Sequence, residues 1–208
     1  MGLQVVHIDE SLIVLEKPAG LPAVPGRGAE NQVSLATQVQ QQIDPEAFVV
    51  HRLDRDTSGL MVMARGLEAQ RKLSQQFEDR KIEKRYTAIV FGSPDRGGGT
   101  IELPIRKDFD RPPRQCVDFA QGRPAITEWR VVERHADRAR LELAPLTGRS
   151  HQLRLHLEQI EHPILGDKLY AHAAALAMAS RLLLHSTHIS LAHPASGGVV
   201  TFRSACPF

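Results

Sequence analysis

The sequence predicts an α+β fold, in which short β-strands and amphipathic helices follow one another along the chain. Several short segments alternate apolar and polar side chains, other segments repeat apolar residues at helical spacing, and Gly, Pro and Asp residues separate them. With 208 residues and 42% hydrophobic content, the chain is long enough to bury a core. No internal repeat or linker is evident, so we expect one domain over residues 1–208.

The first half of the chain is predicted to begin with two strands and a helix. Ser34 is a suitable N-cap for that helix, and Pro25–Gly28 indicates an irregular loop before it. Val49 and Val50 lead into a polar turn, which an apolar run follows. The predicted elements are strands at 3–8, 12–16 and 84–91, a helix at 34–42, a buried strand ending at Ala64 and a helix at about 67–79.

The second half is predicted to contain a hairpin, two helices and the C-terminal strands. Gly97–Gly99 indicates a flexible turn, and residues 106–124 show no periodicity, which predicts a long loop. Ser150 is the expected cap of the first helix. The predicted elements are strands at 100–103, 125–133, 138–144, 182–186, 188–192 and 199–202, and helices at about 150–159 and 171–179.

The composition excludes several classes of protein. No apolar run is long enough to cross a bilayer, and residues 1–10 lack the pattern of a signal peptide, so we expect a cytoplasmic protein. Cys116 and Cys206 are too far apart in sequence to indicate a disulfide framework or a metal knuckle. The ten histidines form no recognisable metal motif, and we therefore expect no metal.

The polar turn between the two apolar runs is the first candidate for chemistry. It reads His-Arg-Leu-Asp-Arg-Asp-Thr-Ser-Gly-Leu over residues 51–60, and the strands on both sides hold it rigidly. Asp54 is the candidate reacting group because a carboxylate can act as a nucleophile or a base. The alternative is that Asp54 only braces the turn with the hydroxyl groups of Thr57 and Ser58.

Basic residues concentrate in the predicted long loop, although the net charge of the chain is only +2. Basic side chains in loops are typical of phosphate contacts with nucleic acid. The alternative is ordinary surface charge, because acidic residues such as Asp108 and Asp110 are interleaved with them. The candidate nucleic-acid-binding residues of this loop are Arg106, Lys107, Arg111 and Arg114.

The motifs resemble those of the RluA family of RNA pseudouridine synthases. The first is the His51–Leu60 stretch, and the second is Thr-Gly-Arg-Ser-His-Gln-Leu-Arg-Leu-His over residues 147–156. The third is Gly166-Asp167-x-x-Tyr170, and Lys17–Leu21, Lys84-x-Tyr86 and Leu184-His185 fit the same pattern in the same order. Together they span nearly the whole chain, and their joint occurrence is very specific. The chain most resembles the short branch after which the family is named, and the resemblance therefore implies no separate N-terminal RNA-binding module ahead of Lys17.

The resemblance implies a fold with a central mixed, mostly antiparallel β-sheet flanked by helices and loops, with the active-site cleft across the sheet. It implies that Asp54 is the catalytic aspartate and that Arg154 is its basic partner. It further implies that Tyr86 stacks on the target uracil, that Leu184 lines the pocket and that Arg52 inserts where the uridine leaves the RNA stack.

The resemblance also implies the substrate and partners. The expected substrates are uridines in 23S rRNA and in the tRNA anticodon stem-loop, although relatives with the same motifs modify other sites. We expect no cofactor, because the isomerisation includes no redox or energy-input step. We also expect no membrane partner and a monomeric protein.

Two other functions are compatible with parts of the sequence. A non-catalytic RNA-binding or RNA-remodelling protein would use Asp54 only to brace the turn. A glycoside hydrolase would use Asp54 and Asp56 as a carboxylate pair, but two acids in one turn are poorly placed to flank a sugar from opposite sides.

Overall fold

The computed structural model describes residues 2–26 and 32–208. The predicted loop at Pro25–Gly28 therefore lies partly outside the described residues. The strands are β1 (Gln4–Ile8), β2 (Leu12–Lys17), β3 (Ala47–Val49), β4 (Ser58–Arg65), β5 (Glu83–Phe91), β6 (Gly98–Glu102), β7 (Ile105–Lys107), β8 (Gln115–Val117), β9 (Ile126–Arg134), β10 (Arg138–Pro145), β11 (Leu184–Ala192) and β12 (Val199–Arg203). The helices are α1 (Leu35–Gln42), α2 (Leu67–Glu78), α3 (Gln152–Gln159) and α4 (Ala173–Ala177).

The chain divides into two compact units, of which the first comprises Met1–Lys84 and His185–Pro207. Its strands are ordered β1-β2-β4-β11, with β3 beside β4 and β12 beside β11. Strand β4 pairs with β11 in parallel and with β2 and β3 antiparallel. Residues 58–64 of β4 are all buried, which explains why this strand reads as an unbroken apolar run. Helix α2 packs Ala69 and Leu73 against this strand.

The second unit comprises Arg85–Leu184 together with Phe208. Its strands are ordered β5-β10-β9-β6 and are paired antiparallel, and β7 and β8 form a separate two-stranded hairpin. Helix α3 contributes Leu153 and Leu157 to a core that includes Leu141 and Leu143 of β10. The two units together give the α+β class and the mixed, mostly antiparallel strand pairing that the sequence predicts.

Many local predictions are confirmed. Strands β1, β2 and β5, helix α2 and the β9–β10 hairpin lie where the sequence places them. Ser34 caps α1 as predicted, and its side chain forms a capping box with Thr37. Within the described residues, none of the helices has the length and apolar character needed to span a bilayer. The expectation of a single domain stays a prediction.

The long loop predicted over residues 106–124 is partly wrong, because it contains most of the β7–β8 hairpin. Each of these strands has three residues, which is too short for an alternating pattern to be visible in the sequence. The flexible turn predicted at Gly97–Gly99 is also wrong, since Gly98 and Gly99 pair with Arg130 and Trp129 inside the sheet. A Cβ on Gly98 would lie 2.7 Å from the carbonyl oxygen of Trp129, so the strands approach too closely there for a side chain.

Three predicted boundaries in the second half also require correction. Helix α3 is capped by His151 in a left-handed conformation rather than by the exposed Ser150. The side chain of Gln152 closes the preceding turn by accepting hydrogen bonds from the Thr147 hydroxyl and the Arg149 amide. The strands predicted at 182–186 and 188–192 are one continuous strand, β11, because the half-buried Thr187 does not interrupt it. Helix α4 is shorter than predicted and begins after His172, whose ring caps it.

Candidate active site

The turn that contains Asp54 lies in the first unit. The amide of Thr57 donates a hydrogen bond to the carbonyl of Asp54 at 3.2 Å, which closes the turn. Leu53 is buried and anchors the turn in the core, whereas Asp54 is half-buried and Arg52 is exposed. Arg52 and Asp54 are thus two residues apart in one ordered turn, with the carboxylate partly shielded from water.

A buried lysine holds the residue that follows Asp54. Lys17 is only 1% exposed, and its ammonium group donates hydrogen bonds to the carbonyl oxygens of Pro18 (2.9 Å), Leu21 (2.8 Å) and Arg55 (2.8 Å). The amide of Gly20 donates a second hydrogen bond to the same Arg55 carbonyl. Because a buried charge is costly without partners, these hydrogen bonds stabilise the ammonium group of Lys17 in its buried position. The Asp54 turn and the Lys17–Leu21 segment are therefore locked together.

A chain of side chains extends from the other end of the turn. Ser58 contacts Nδ1 of His185 at 2.8 Å, and Nε2 of His185 contacts Ser204 at 2.8 Å. The hydroxyl of Ser204 in turn donates to Glu16. With Ser204 donating in that direction, a neutral His185 ring donates a hydrogen bond from Nε2 and accepts one from the Ser58 hydroxyl at Nδ1. This chain ties together the ends of β2, β4 and β11.

Gly59 occupies a position that excludes every other residue type. Its φ is +107°, and a Cβ there would lie 2.3 Å from the carbonyl oxygen of Ser186 on the neighbouring strand β11. The glycine of the motif therefore allows β4 and β11 to pair immediately after the turn. This contact explains why the motif places a glycine directly after Ser58.

His51, the first residue of the motif, has a structural role. Its Nε2 accepts a hydrogen bond from the Val62 amide at 2.9 Å, and its ring stacks on Phe77 with centroids 4.5 Å apart. Loss of solvation lowers the pKa of His51 to about 3, and the nearby positive charge of Lys84 acts in the same direction. The ring is therefore neutral at physiological pH, and its contacts with Val62 of β4 and Phe77 of α2 give it a structural role.

The second and third motifs meet in the second unit through a buried ion pair. Arg154 and Asp167 are 3% and 0% exposed, and the guanidinium donates from Nε and Nη2 to the two carboxylate oxygens at 2.8 and 2.6 Å. The same carboxylate accepts backbone hydrogen bonds from Leu169 and Tyr170. This two-point contact fixes the plane of the guanidinium. Arg154 is therefore a buried residue of α3 whose orientation is set by Asp167.

Tyr170 adds a second layer of contacts to this pair. Its ring lies 5.2 Å from the guanidinium of Arg154 and 5.0 Å from that of Arg114. Its hydroxyl contacts Nδ1 of His151 at 2.9 Å and accepts the Gln115 amide at 2.7 Å. Burial raises the pKa of Tyr170 to about 12, so the hydroxyl keeps its proton. Tyr170 thereby connects the β7–β8 hairpin to the start of α3.

Tyr86 and Leu184 contribute to one apolar cluster in the second unit. Tyr86 lies half-buried on β5 opposite Leu143 of β10, and Leu184 is 2% exposed. Both pack against the core that includes Leu143 and Leu153. Each side chain is held by its neighbours, and the roles that the resemblance implies for them stay predictions.

The four basic candidates lie on or beside the β7–β8 hairpin in different environments. Arg106 forms an ion pair with Asp118 at 2.5 Å, which lowers the pKa of that carboxyl to about 2, and Arg111 forms one with Asp108 at 2.9 Å. Arg114 lies over Tyr170, as described above, whereas Lys107 is exposed. Two of the four cations therefore already have an acidic neighbour.

Reasoning from the sequence missed the residues that hold the candidate groups in place. Lys17 and Asp167 belong to the Lys17–Leu21 and Gly166–Tyr170 motifs, but nothing in their local sequence indicates that they are buried. His185 and Ser58 are 127 positions apart in sequence, so their contact is not readable from local patterns. The occurrence of these residues inside short motifs was the one available signal.

Comparison with known proteins identifies relatives along nearly the whole chain. A protein family described as RNA pseudouridylate synthase matches residues 11–159. The dual-specificity RNA pseudouridine synthase RluA of Escherichia coli K12 is 45% identical over 207 residues, which cover 99% of this chain and 94% of the relative. RluA of Haemophilus influenzae is 40% identical over 210 residues, with coverages of 99% and 94%.

Solved structures of RNA pseudouridylate synthases have a similar fold. Human RNA pseudouridylate synthase domain containing 1 matches with a TM-score of 0.84 and 25% identity, covering 100% of this chain and 84% of that chain. Human RNA pseudouridylate synthase domain containing 4 matches with a TM-score of 0.77 and 25% identity, covering 98% and 88%.

Proposed function

Because the chain belongs to the RNA pseudouridylate synthase family and is therefore an isomerase acting on RNA, we propose that its substrates are uridines in 23S rRNA and in tRNA anticodon stem-loops. The motifs of the RluA branch imply these two RNAs, and the relatives from Escherichia coli and Haemophilus influenzae are named dual-specificity RNA pseudouridine synthases. We further propose that the protein acts as a monomer in the cytoplasm.

Asp54 is proposed as the catalytic carboxylate. The reaction breaks the bond between uracil N1 and ribose C1′, rotates the base and forms a bond between C5 and C1′. C5 loses its proton and N1 gains one, so the product is an isomer of the substrate. The carboxylate either attacks C1′ as a nucleophile or removes the C2′ proton as a base, and both roles require its ionised form. A deuterium isotope effect from C2′-labelled uridine would distinguish them, because only the second role breaks that C–H bond.

The observation that best supports this role is the support of the Asp54 turn by Lys17. Three carbonyl groups surround the buried ammonium, one of which belongs to Arg55 next to Asp54. A reacting group has to be held within a fraction of an ångström of its productive position. A turn that only connects two strands would not require a buried charge for its support.

The other candidate residues are proposed to serve the same nucleotide. Arg154 is proposed to offset the negative charge of Asp54, and its plane is already fixed by Asp167. Tyr86 is proposed to stack on the extruded uracil, and Leu184 to line the pocket beside it. The exposed Arg52 is proposed to fill the space that the uridine leaves, because a guanidinium both stacks on bases and binds phosphate.

Arg106, Lys107, Arg111 and Arg114 are proposed to contact the RNA backbone. Their position on one hairpin supports this role, because basic groups on a loop can follow a phosphate strand. The ion pairs of Arg106 and Arg111 reduce the net positive charge that the hairpin offers. We therefore expect these residues to orient the RNA more than to supply most of the affinity.

The experiment that tests the proposal is release of tritium from C5-labelled uridine in 23S rRNA fragments and in tRNA transcripts. Wild-type protein is compared with Asp54→Asn and with Asp56→Asn, which removes the other carboxylate of the same turn. We expect release by the wild type and by Asp56→Asn, and none by Asp54→Asn.

Other outcomes would revise specific parts of the proposal. Release from only one class of RNA would restrict the substrate to that class. Full activity of Asp54→Asn would remove Asp54 from the chemistry, and equal loss in both variants would indicate that the turn depends on both carboxylates.

A further inference from the structure

The β7–β8 hairpin and its flanking loops expose two aromatic side chains. Phe109 follows β7 and is 71% exposed, and Phe119 follows β8 and is 80% exposed. Single exposed apolar residues are common on protein surfaces, but two nearly bare phenyl rings within eleven residues are not explained by packing. Among the residues that the structure describes, neither ring is part of the apolar clusters of the second unit.

The backbone that holds these rings is ordered by side-chain hydrogen bonds. The carboxylate of Asp108 accepts hydrogen bonds from the amides of Asp110 and Arg111, which define the loop around Phe109. The carboxylate of Asp118 accepts hydrogen bonds from the amides of Ala120 and Gln121, which define the loop around Phe119. Each ring is therefore presented on a preformed turn, so little backbone entropy has to be lost when a ligand binds it.

The loops that carry the two rings lie at opposite ends of the β7–β8 strand pair. Lys107 pairs with Gln115 at the end that leads to Phe109, and Ile105 pairs with Val117 at the end that leads to Phe119. A ligand contacting both rings would have to extend along the hairpin, and separate units of a chain molecule satisfy this requirement.

The charges around the rings indicate the chemistry of this ligand. The guanidinium of Arg106 lies 5.9 Å from the centroid of the Phe109 ring, and the ammonium of Lys107 lies 5.6 Å from it. Between residues 106 and 118 there are four basic and three acidic side chains, so the net positive charge is small. The segment thus combines aromatic faces with adjacent cations. A ligand with bases that stack and phosphates that carry charge, such as a nucleic acid, matches both features, whereas a polyanion without aromatic groups would use only the cations.

We infer that Phe109 and Phe119 stack on unpaired nucleobases of the RNA substrate, outside the pocket that takes the target uridine. This inference rests on the proposed function, since it requires a stem-loop RNA as the ligand. Extruding a uridine leaves neighbouring loop bases without stacking partners, and exposed aromatic side chains are common platforms for such bases. The rings contribute affinity that does not depend on neutralising phosphates, and the adjacent cations hold the connecting backbone.

The test uses Phe109→Leu and Phe119→Leu, which keep an apolar side chain but remove the aromatic face. Binding of a tRNA anticodon stem-loop transcript is measured over a range of salt concentrations. Each substitution should weaken binding about 10-fold, as expected for the loss of one stacked base. The slope of log Kd against log salt concentration should not change, because no phosphate contact is lost. Phe109→Trp should bind as tightly as the wild type or more tightly.

A fluorescent base analogue reports the contact directly. With 2-aminopurine placed beside the target uridine, stacking on a phenyl ring quenches the emission, and the leucine variants should restore it. Leu67→Ala is the matched control, since Leu67 is 66% exposed but lies on α2 in the first unit. It should change neither the affinity nor the emission.

The outcomes separate this inference from the proposed function. If the wild type releases tritium but both leucine variants bind RNA with unchanged affinity and emission, the stacking inference is wrong and the isomerase stands. If the leucine variants flatten the salt dependence, the rings act by positioning the basic groups, which also overturns the inference. If the wild type neither modifies nor binds any of the RNAs, the proposed function itself fails.

Discussion

The ammonium group of Lys17 donates a hydrogen bond to the carbonyl of Arg55, the residue directly after the candidate catalytic Asp54, at 2.8 Å. Replacing Lys17 by Met removes the buried donor that this carbonyl shares with two others, although the Gly20 amide still donates to the Arg55 carbonyl, and the loss should cost about 2 kcal/mol of unfolding free energy. Because the turn loses its support, we expect kcat to fall at least about 10-fold. RNA affinity should change little, since Lys17 is buried.

The measurements for Lys17→Met are single-turnover pseudouridine formation, RNA binding and urea unfolding. Lys72→Met is the control, because Lys72 is half-exposed on α2 and forms only an i,i+4 ion pair with Glu68 and a hydrogen bond to Pro194. A variant that loses stability but keeps the wild-type kcat would show that Lys17 supports the fold without positioning Asp54.

Removing only one member of the buried ion pair between Arg154 and Asp167 should lower the stability of the protein strongly. Asp167→Asn removes the carboxylate charge that accepts two hydrogen bonds from the buried guanidinium, so the free energy of unfolding should fall by roughly 3 kcal/mol. The double variant Arg154→Met with Asp167→Asn removes both charges and keeps an amide oxygen that can accept the backbone hydrogen bonds of Leu169 and Tyr170, so it should recover much of that stability. It should nevertheless be inactive, because the proposed partner of Asp54 is absent. Recovery of activity in the double variant would contradict the role assigned to Arg154.

Gly59 provides a test of close strand approach. Gly59→Ala would bring a Cβ to 2.3 Å from the Ser186 carbonyl oxygen at a positive φ, so we expect a loss of more than about 3 kcal/mol. Gly197→Ala is the matched control, since Gly197 also has a positive φ but nothing lies within 4 Å of its Cβ position. It should cost about 1 kcal/mol. Equal effects in urea unfolding would mean that the contact with β11 is unimportant.

The pKa of His51 predicts a loss of stability in mild acid. Loss of solvation lowers this pKa from 6.5 to about 3, so between these values the unfolded chain binds a proton that the folded chain does not. Stability therefore falls as the pH decreases below 6.5, by about 1.4 kcal/mol per pH unit for one proton. Burial also lowers the pKa of His156, which adds in the same direction.

Urea unfolding between pH 7 and pH 4 measures this dependence. Asp118 has a pKa lowered to about 2, so its protonation affects stability only below this pH range. His51→Gln should flatten the profile, because the unfolded chain then binds one proton fewer. His135→Gln is the control, since His135 is exposed, and its profile should match that of the wild type. An unchanged profile in His51→Gln would show that His51 is not buried in its neutral form.

The ion pair between Arg111 and Asp108 predicts how the hairpin responds to charge removal. Arg111→Ala should weaken RNA binding and reduce its salt slope, partly because the freed Asp108 carboxylate repels phosphate. Adding Asp108→Asn removes that charge while an amide oxygen still accepts the backbone hydrogen bonds of the loop. The double variant should therefore regain part of the affinity. If it binds no better than Arg111→Ala, repulsion by Asp108 is not a factor.

The sequence was sufficient for features whose cause is local. The Ser34 cap of α1, the amphipathic α2 and the unbroken apolar run of β4 depend on residues within one or two turns or one strand, so residue type and spacing reveal them. The motif over residues 51–60 also identified Asp54 as a candidate, because a polar turn between buried strands is visible without the fold. The strands of the β7–β8 hairpin were missed because three residues are too few to show a period.

By itself, then, the sequence determined the α+β class, the family and the candidate catalytic aspartate. Only the tertiary structure decided what supports that aspartate and its proposed partner: the burial of Lys17 among carbonyls, the pairing of Arg154 with Asp167, and the contact between Ser58 and His185. Burial and ion pairing depend on what the rest of the chain places around a residue. Lys17 reads as a surface lysine until Arg55, 38 positions away, brings its carbonyl to the ammonium group.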